Sequence, residues 1–271
     1  MYLVTKRDVR HDLARSTHGQ DFIARAALGL ASVWVGAVNE ETARGARSMS
    51  GCTGLNEALW IKEINTVNVL EQLSSQSGDR TAASNERVAK RALQRPQLLE
   101  EIAVGLAMRD RKLIGDCAEV MTLVAARQPE LVAPYVATLL ALLEHKDTRV
   151  RWEAMHSVAE VAALVPDKIA PLVSDLAKKI AQDKSVIVRD YAILALGEYG
   201  RTSRKAARKV WPHVQAALTA WDGKHAGVAL EALSKLIAAD AALKPEVQIL
   251  ARKQIEHPRV KVRTLAKRLL K

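Results

Sequence analysis

Glu153, His156 and Glu160 are the residues whose types and spacing come nearest to catalysis or metal binding. A Glu-x-x-His pair on a helix can give a di-iron site one carboxylate and one imidazole, but such a site needs a second copy and further carboxylates. The sequence holds no second copy, so these three are expected on a solvated helix face. No glycine loop for phosphates, no GxSxG and no HExxH occurs. Cys52 and Cys117 lie sixty-five residues apart, without a CxxC or a Cys/His cluster. Zinc and a disulfide framework are therefore not expected, and free thiols in a reducing cytoplasm are. No metal, no cofactor and no catalytic residue is assigned. Trp152, Trp211 and Trp221 could stack on bases, but indoles more often fill helix contacts.

Charge offers a second chemistry. Residues 1–83 carry nine basic and nine acidic side chains, and residues 84–200 carry sixteen of each. Residues 201–271 carry sixteen basic and five acidic, so the whole excess of +11 lies there. It is patterned. Arg201, Lys205 and Lys209 are four apart, as are Arg204 and Arg208, and as are Arg259, Arg263, Lys267 and Lys271. Each set would share one helix face, where unpaired like charges repel. A bound phosphate backbone would relieve that repulsion, with a steep dependence on salt. A solvated polar end to the fold is the alternative.

Which elements would position these residues? "DTRVRWEAMHSVAEVAALV" (147–165) sets Val150, Ala154, Val158, Val161 and Val165 at helical spacing. Its Val150-Arg151 pair returns as Val188-Arg189, thirty-eight residues on, and as Val262-Arg263 seventy-four after that. Val188, Ala192, Leu196 and Tyr199 repeat the apolar face. Prolines at 96, 134, 171, 212 and 245 are expected near the starts of the alternate helices, where a missing N–H costs nothing. Polar turns follow, and their aspartates can cap the next helix. A period near thirty-seven residues without strand alternation predicts stacked helix pairs.

These residues carry a resemblance. "DTRVRWEAMHSVAEV", "KSVIVRDYAILALGEYG" and "HPRVKVRTLAKRLL" resemble second helices of HEAT repeats, with a turn Asp, then Val-Arg, then an alanine/leucine face. The resemblance covers roughly residues 90–271 and implies an all-α, right-handed α-solenoid of about five HEAT-like pairs. It also implies that the arginine points along the stack to turn acids, with Asp147 and Asp183 the candidates for Arg151 and Arg189. Arg263 has no such acid at hand. "RKLIGDCAEVMTLVAA" and "GKHAGVALEALSKLIA" lack the pair and interrupt the ladder. Some HEAT-like alkylpurine DNA glycosylases hold Trp, Asp and Arg on a basic surface, and "AWDGKH" (220–225) is superficially similar. The motif is too short to give Trp221 or Asp222 a catalytic role.

Residues 1–83 do not join the repeat and are expected as a helical N-terminal cap or extension, with 84–271 as the repeat domain. Within them, 22–38 reads as a buried helix, its thirteen uncharged residues being short for a membrane span. A signal-peptide core is the alternative. Residues 74–86 are expected as a linker. The functional expectation is a non-catalytic cytoplasmic scaffold that binds a protein partner, away from membranes. The alternatives are nucleic-acid binding through 201–271 and a repair glycosylase.

Overall fold

The structure, a computed structural model, describes residues 68–271. The 22–38 helix, Cys52 and all of the expected cap before residue 68 lie outside the described residues. No strand occurs among the described residues, and no helix among them is long and apolar enough to cross a membrane.

The main helices are α1 Ala83–Gln94, α2 Leu98–Leu106, α3 Arg111–Ala125, α4 Val136–Ala141, α5 Thr148–Val161, α6 Val173–Gln182, α7 Val186–Gly200, α8 Arg204–Ala217, α9 Ala226–Ala239, α10 Lys244–Arg252 and α11 Val260–Leu269. They form two layers. α1, α3, α5, α7, α9 and α11 stack one on the next, while α2, α4, α6, α8 and α10 each pack on the second helix of their own pair. Among the described residues five pairs result, as the repeat period predicts, in an α-solenoid led by α1.

The cause of each element is local. Asp110 and Asp147 accept hydrogen bonds from the Lys112 and Arg149 amides, both at 2.9 Å, and so start α3 and α5. Ser185 and Ser203 cap α7 and α8 in the same way. Val150, Ala154, Val158 and Val161 are buried, as are Val188, Ala192, Leu196 and Tyr199. Pro134 and Pro171 lie in 3₁₀ turns, Ala133–Tyr135 and Ala170–Leu172, that bend the chain into α4 and α6. Pro245 stands at the start of α10. Pro212 departs from expectation and lies inside α8, because Ser203 starts that helix earlier.

The 74–86 stretch is not a linker. A short helix, Ser74–Ser77, turns at Gly78 in the left-handed region (φ 74°) and runs into α1. Buried Asn85 accepts from the Ser74 amide at 2.9 Å, and Ser74 Oγ donates to the Thr81 carbonyl at 2.8 Å. Asp79 accepts from Thr81 and from the Ser84 amide, which holds its carboxyl far below the usual range. Serine-rich composition suggested flexibility, but here the hydroxyls bind local backbone.

Close approach of α7 and α9 rests on Gly197. A Cβ there would lie 2.8 Å from Ala232 Cβ and 3.0 Å from its Cα, neither of which can rotate away. Gly197→Ala gains about 1 kcal/mol of helix propensity but forces the helices apart. A net loss of about 1–2 kcal/mol is expected from overpacking, read from urea unfolding midpoints.

Candidate functional site

The arginine of each Val-Arg pair faces the turn behind it. Arg151 Nη1 donates to the His145 and Lys146 carbonyls at 2.9 and 3.1 Å. Arg189 Nη1 donates to the Asp183 carbonyl at 2.7 Å, and Arg263 Nη1 to those of His257 and Pro258 at 2.8 and 2.9 Å. Carbonyls at the end of a first helix lack intrahelical partners, and one guanidinium has five donors to supply them. Arg263 therefore needs no turn acid. Arg151 also reaches forward, its Nε donating to Asp183 Oδ2 of the next turn at 3.2 Å. So Asp183, not Asp147, pairs with Arg151, because Asp147 is used as the α5 cap.

Arg189 does not pair with the Asp183 carboxylate either. Its Nε donates to Nε2 of buried His225 at 2.9 Å, and its guanidinium lies 3.8 Å from the Trp221 ring centroid. Arginine can only donate, so His225 Nε2 accepts and Nδ1–H donates to Asp190 at 2.6 Å. His225, just before α9, thus receives the Arg189 Nε as Asp183 receives that of Arg151. Trp221 and Asp222 have φ of 54° and 55°, a costly conformation for non-glycine residues. Trp221 Nε1–H donates to the Ile180 carbonyl at 3.0 Å, so "AWDGKH" ties turns together.

Sequence reasoning missed a second network. Asp116 is buried and accepts from the Ser75 amide at 2.7 Å, Asn85 Nδ2 at 3.1 Å and Arg149 Nη2 at 2.7 Å. Glu119 accepts from the same Asn85 and Arg149 groups at 2.8 and 2.7 Å. Burial pushes the Asp116 carboxyl up, but the hydrogen bonds from Ser75, Arg149 and Asn85 outweigh it and hold it below the usual range. The available signal was one acid set among Leu113, Ile114, Cys117, Ala118 and Val120. Burial, then the Asp116 charge, pushes the Cys117 thiol up to about 12.

The basic stripes are largely engaged within the protein. Arg204 and Arg208 converge on Asp240 at 3.4 and 2.7 Å, so this carboxylate relieves the repulsion that an external anion was expected to relieve. The Arg208 hydrogen bond leads in holding the Asp240 carboxyl low. Arg201 pairs with Glu198, Lys209 donates to the Ala170 carbonyl at 2.6 Å, and Arg259 donates to the Gly223 carbonyl at 2.5 Å. Lys205, Lys267 and Lys271 are exposed, with no ion pair among the described residues.

The face carrying Glu153, His156 and Glu160 is only partly solvated. His156 stacks on Tyr191 of the next unit, with ring centroids 3.8 Å apart and planes at 16°. Trp152 Nε1–H donates to Glu153 Oε1 at 2.8 Å, and burial raises the Glu153 carboxyl. Trp211 is half-buried against the core. A cleft of about 710 Å³ opens beside Trp152, Glu153, Asp116, Glu119 and Arg149, with the 78–82 loop as its other wall. No group of three or more His, Cys, Asp or Glu able to hold a metal occurs among the described residues.

The family model of non-SMC mitotic condensation complex subunit 1 (Cnd1) matches residues 117–267, more than half of the chain. The chain belongs to that family. Its matched region begins at Cys117 in α3 and ends at Lys267 in α11, and so spans the arginine ladder. No curated protein matches the chain. A designed armadillo repeat protein is 17% identical, with a TM-score of 0.58 over 74% of this chain and 97% of its own. Another, solved in complex with the peptide (KR)4, is 16% identical at a TM-score of 0.58, over 74% of this chain and 96% of its own. An engineered protein is 18% identical at 0.58, over 80% of this chain and 60% of its own. At these identities the likeness shows the fold alone, that of a HEAT/armadillo-like solenoid.

Carboxyls held low in the folded state stabilise it above their unfolded pKa and lose that contribution as pH falls through the folded value. Asp116 and Asp240 are of this kind, as is Glu198, where Lys235 and Arg201 outweigh burial. Glu153, raised, acts with the opposite sign. Stability should therefore fall on acidification from about pH 5 to about pH 3. Asp116→Asn should lower stability by about 2 kcal/mol at pH 7 and flatten the acid limb, as read by urea unfolding across pH.

Proposed function

We propose that the chain is a non-catalytic HEAT-repeat scaffold that binds a protein partner. The observation that carries this reading is a row of apolar side chains on the turn edge. Val186 and Val260 are the first residues of α7 and α11, and they are 48% and 66% exposed. Ile187 and Trp221 join them, each at 39%. Val186 and Val260 share one register two units apart and Trp221 lies in the turn between them, and apolar groups left in water along one edge suit a surface that is covered on association. The family's name, a subunit of a complex, and the peptide held by one solved neighbour support the same reading. Buried Cys117 suits a reducing compartment such as the cytoplasm.

A photo-crosslinking residue at position 187 or 260 should capture one protein of defined mass, and one at exposed Lys178 should not. Ile187→Asp with Val260→Asp should reduce that capture about tenfold or more, with an unchanged melting midpoint. Equal capture at all three positions, or capture that survives the double variant, would refute the reading.

A second reading is nucleic-acid binding through 201–271, and the +11 excess favours it. Its test belongs on the cations without partners, since Arg204, Arg208 and Arg263 help hold the repeats together. Lys205→Glu, Lys267→Glu and Lys271→Glu together should weaken binding of a labelled DNA duplex about tenfold and flatten its salt slope. Unchanged affinity would remove this surface from consideration.

A further inference from the structure

We propose that the open face of α5 and α7 binds an extended basic segment of a partner protein, with its Arg or Lys side chains set on Trp152 and the His156–Tyr191 stack. The inference rests on the scaffold reading and supplies the chemistry of one partner. Trp152, His156 and Glu160 are spaced by four on α5 and so form one stripe, and Tyr191 joins it from α7. All four are at least partly open to solvent. Aromatic faces attract guanidinium and ammonium groups, more strongly as water is excluded.

Charge selects the same occupant. Asp116, Glu119, Glu153, Glu160 and Asp190 line this part of the second-helix layer, five acids against the two cations Arg149 and Lys112. Arg149 is already used by Asp116 and Glu119. His156 lies 3.4 Å from Glu160, and His225 binds Asp190 through a ring N–H. After burial, the charges of Glu153, Glu160 and Asp190 are what raise the Tyr191 hydroxyl, so all three act on the aromatic pair. On the far wall of the cleft Asp79 stands with Arg80, and Lys112 lies on α3 one turn before Asp116. The excess of negative charge therefore centres on α5 and α7 rather than on the loop. A phosphate backbone would meet repulsion here.

Spacing favours an extended chain. Packed helices lie about 8–10 Å apart, and an extended chain advances about 3.3 Å per residue. Basic residues two or three positions apart would then meet successive helices, with the 710 Å³ cleft receiving the end near α3.

Fluorescence anisotropy would test this on the full chain, with a labelled peptide of Arg-Ala-Ala repeats and a Glu-Ala-Ala control. The basic peptide should bind with salt-sensitive affinity and the acidic one should not. Glu153→Gln with Glu160→Gln, and separately Trp152→Ala, should weaken binding about tenfold. Glu231→Gln, on α9, should change it less than about twofold. Burial already penalises the Glu153 charge, so Glu153→Gln should not lower the melting midpoint, and circular dichroism would verify the fold. No binding of the basic peptide at low salt, or binding indifferent to the double variant, would overturn the proposal. Duplex DNA binding lost in the double variant but kept in the triple-lysine variant would overturn it too. Crosslinking at 187 and 260 in the chain that keeps Trp152, Glu153 and Glu160 separates the two readings. Capture that persists without peptide binding sinks only this inference, and loss of both sinks the scaffold reading as well.

Discussion

A helix pair has an apolar face toward each neighbour and can cover neither alone, so every unit of this chain depends on close contact with the next. That contact sets two demands at once. Backbones must approach, which Gly197 permits against Ala232. The turn between paired helices must also stay closed, though its carbonyls have no helical partners. Arg151, Arg189 and Arg263 meet the second demand with one geometry, an Nη1 donating to the carbonyl six residues back. The apolar stacking and the guanidinium ladder are thus two parts of one constraint.

The fourth unit shows what happens when the ladder loses a rung. His225, just before α9, takes the part that Asp183 plays one unit earlier, accepting from Arg189 and donating to Asp190. α9 holds no arginine to supply the carbonyls of its own turn. The turn before it takes a different path, with Trp221, Asp222 and Gly223 all at positive φ. The Trp221 ring against Arg189 and its N–H on the Ile180 carbonyl oppose the strain. An irregular repeat is therefore held by an irregular set of contacts, and it need not be a weak point.

The solenoid was legible because its signals are periodic: Val-Arg at constant spacing and apolar residues every three or four. The partners of the arginines were not, because carbonyls leave no mark in a sequence and the nearest acid looked sufficient. Asp147 illustrates this, since it caps α5 while Arg151 goes to the next turn. Asp116 was legible only as an oddity on an apolar face. Its partners Ser75 and Asn85 lay in a stretch whose composition resembles a linker. The family was readable at the level of HEAT repeats, and the condensation-complex subunit required the comparison.

Net charge was the sequence feature with the clearest implied function, and the structure changes what it implies. Arg204 and Arg208 hold Asp240, Arg259 and Arg263 hold turn carbonyls, and Arg201 holds Glu198. A cation that already has a partner still contributes to the long-range field, but its fixed donors are no longer all available to a ligand. Lys205, Lys267 and Lys271 keep both. The acids of α3, α5 and α7 are fewer than the basic residues of 201–271, yet Glu153 and Glu160 have no lysine or arginine partner among the described residues. What decides where a partner docks is the local charge left after internal pairing. By that measure the aromatic, acidic face of α5 and α7 offers more to a basic ligand than the Arg204–Arg208 stripe offers to an acidic one.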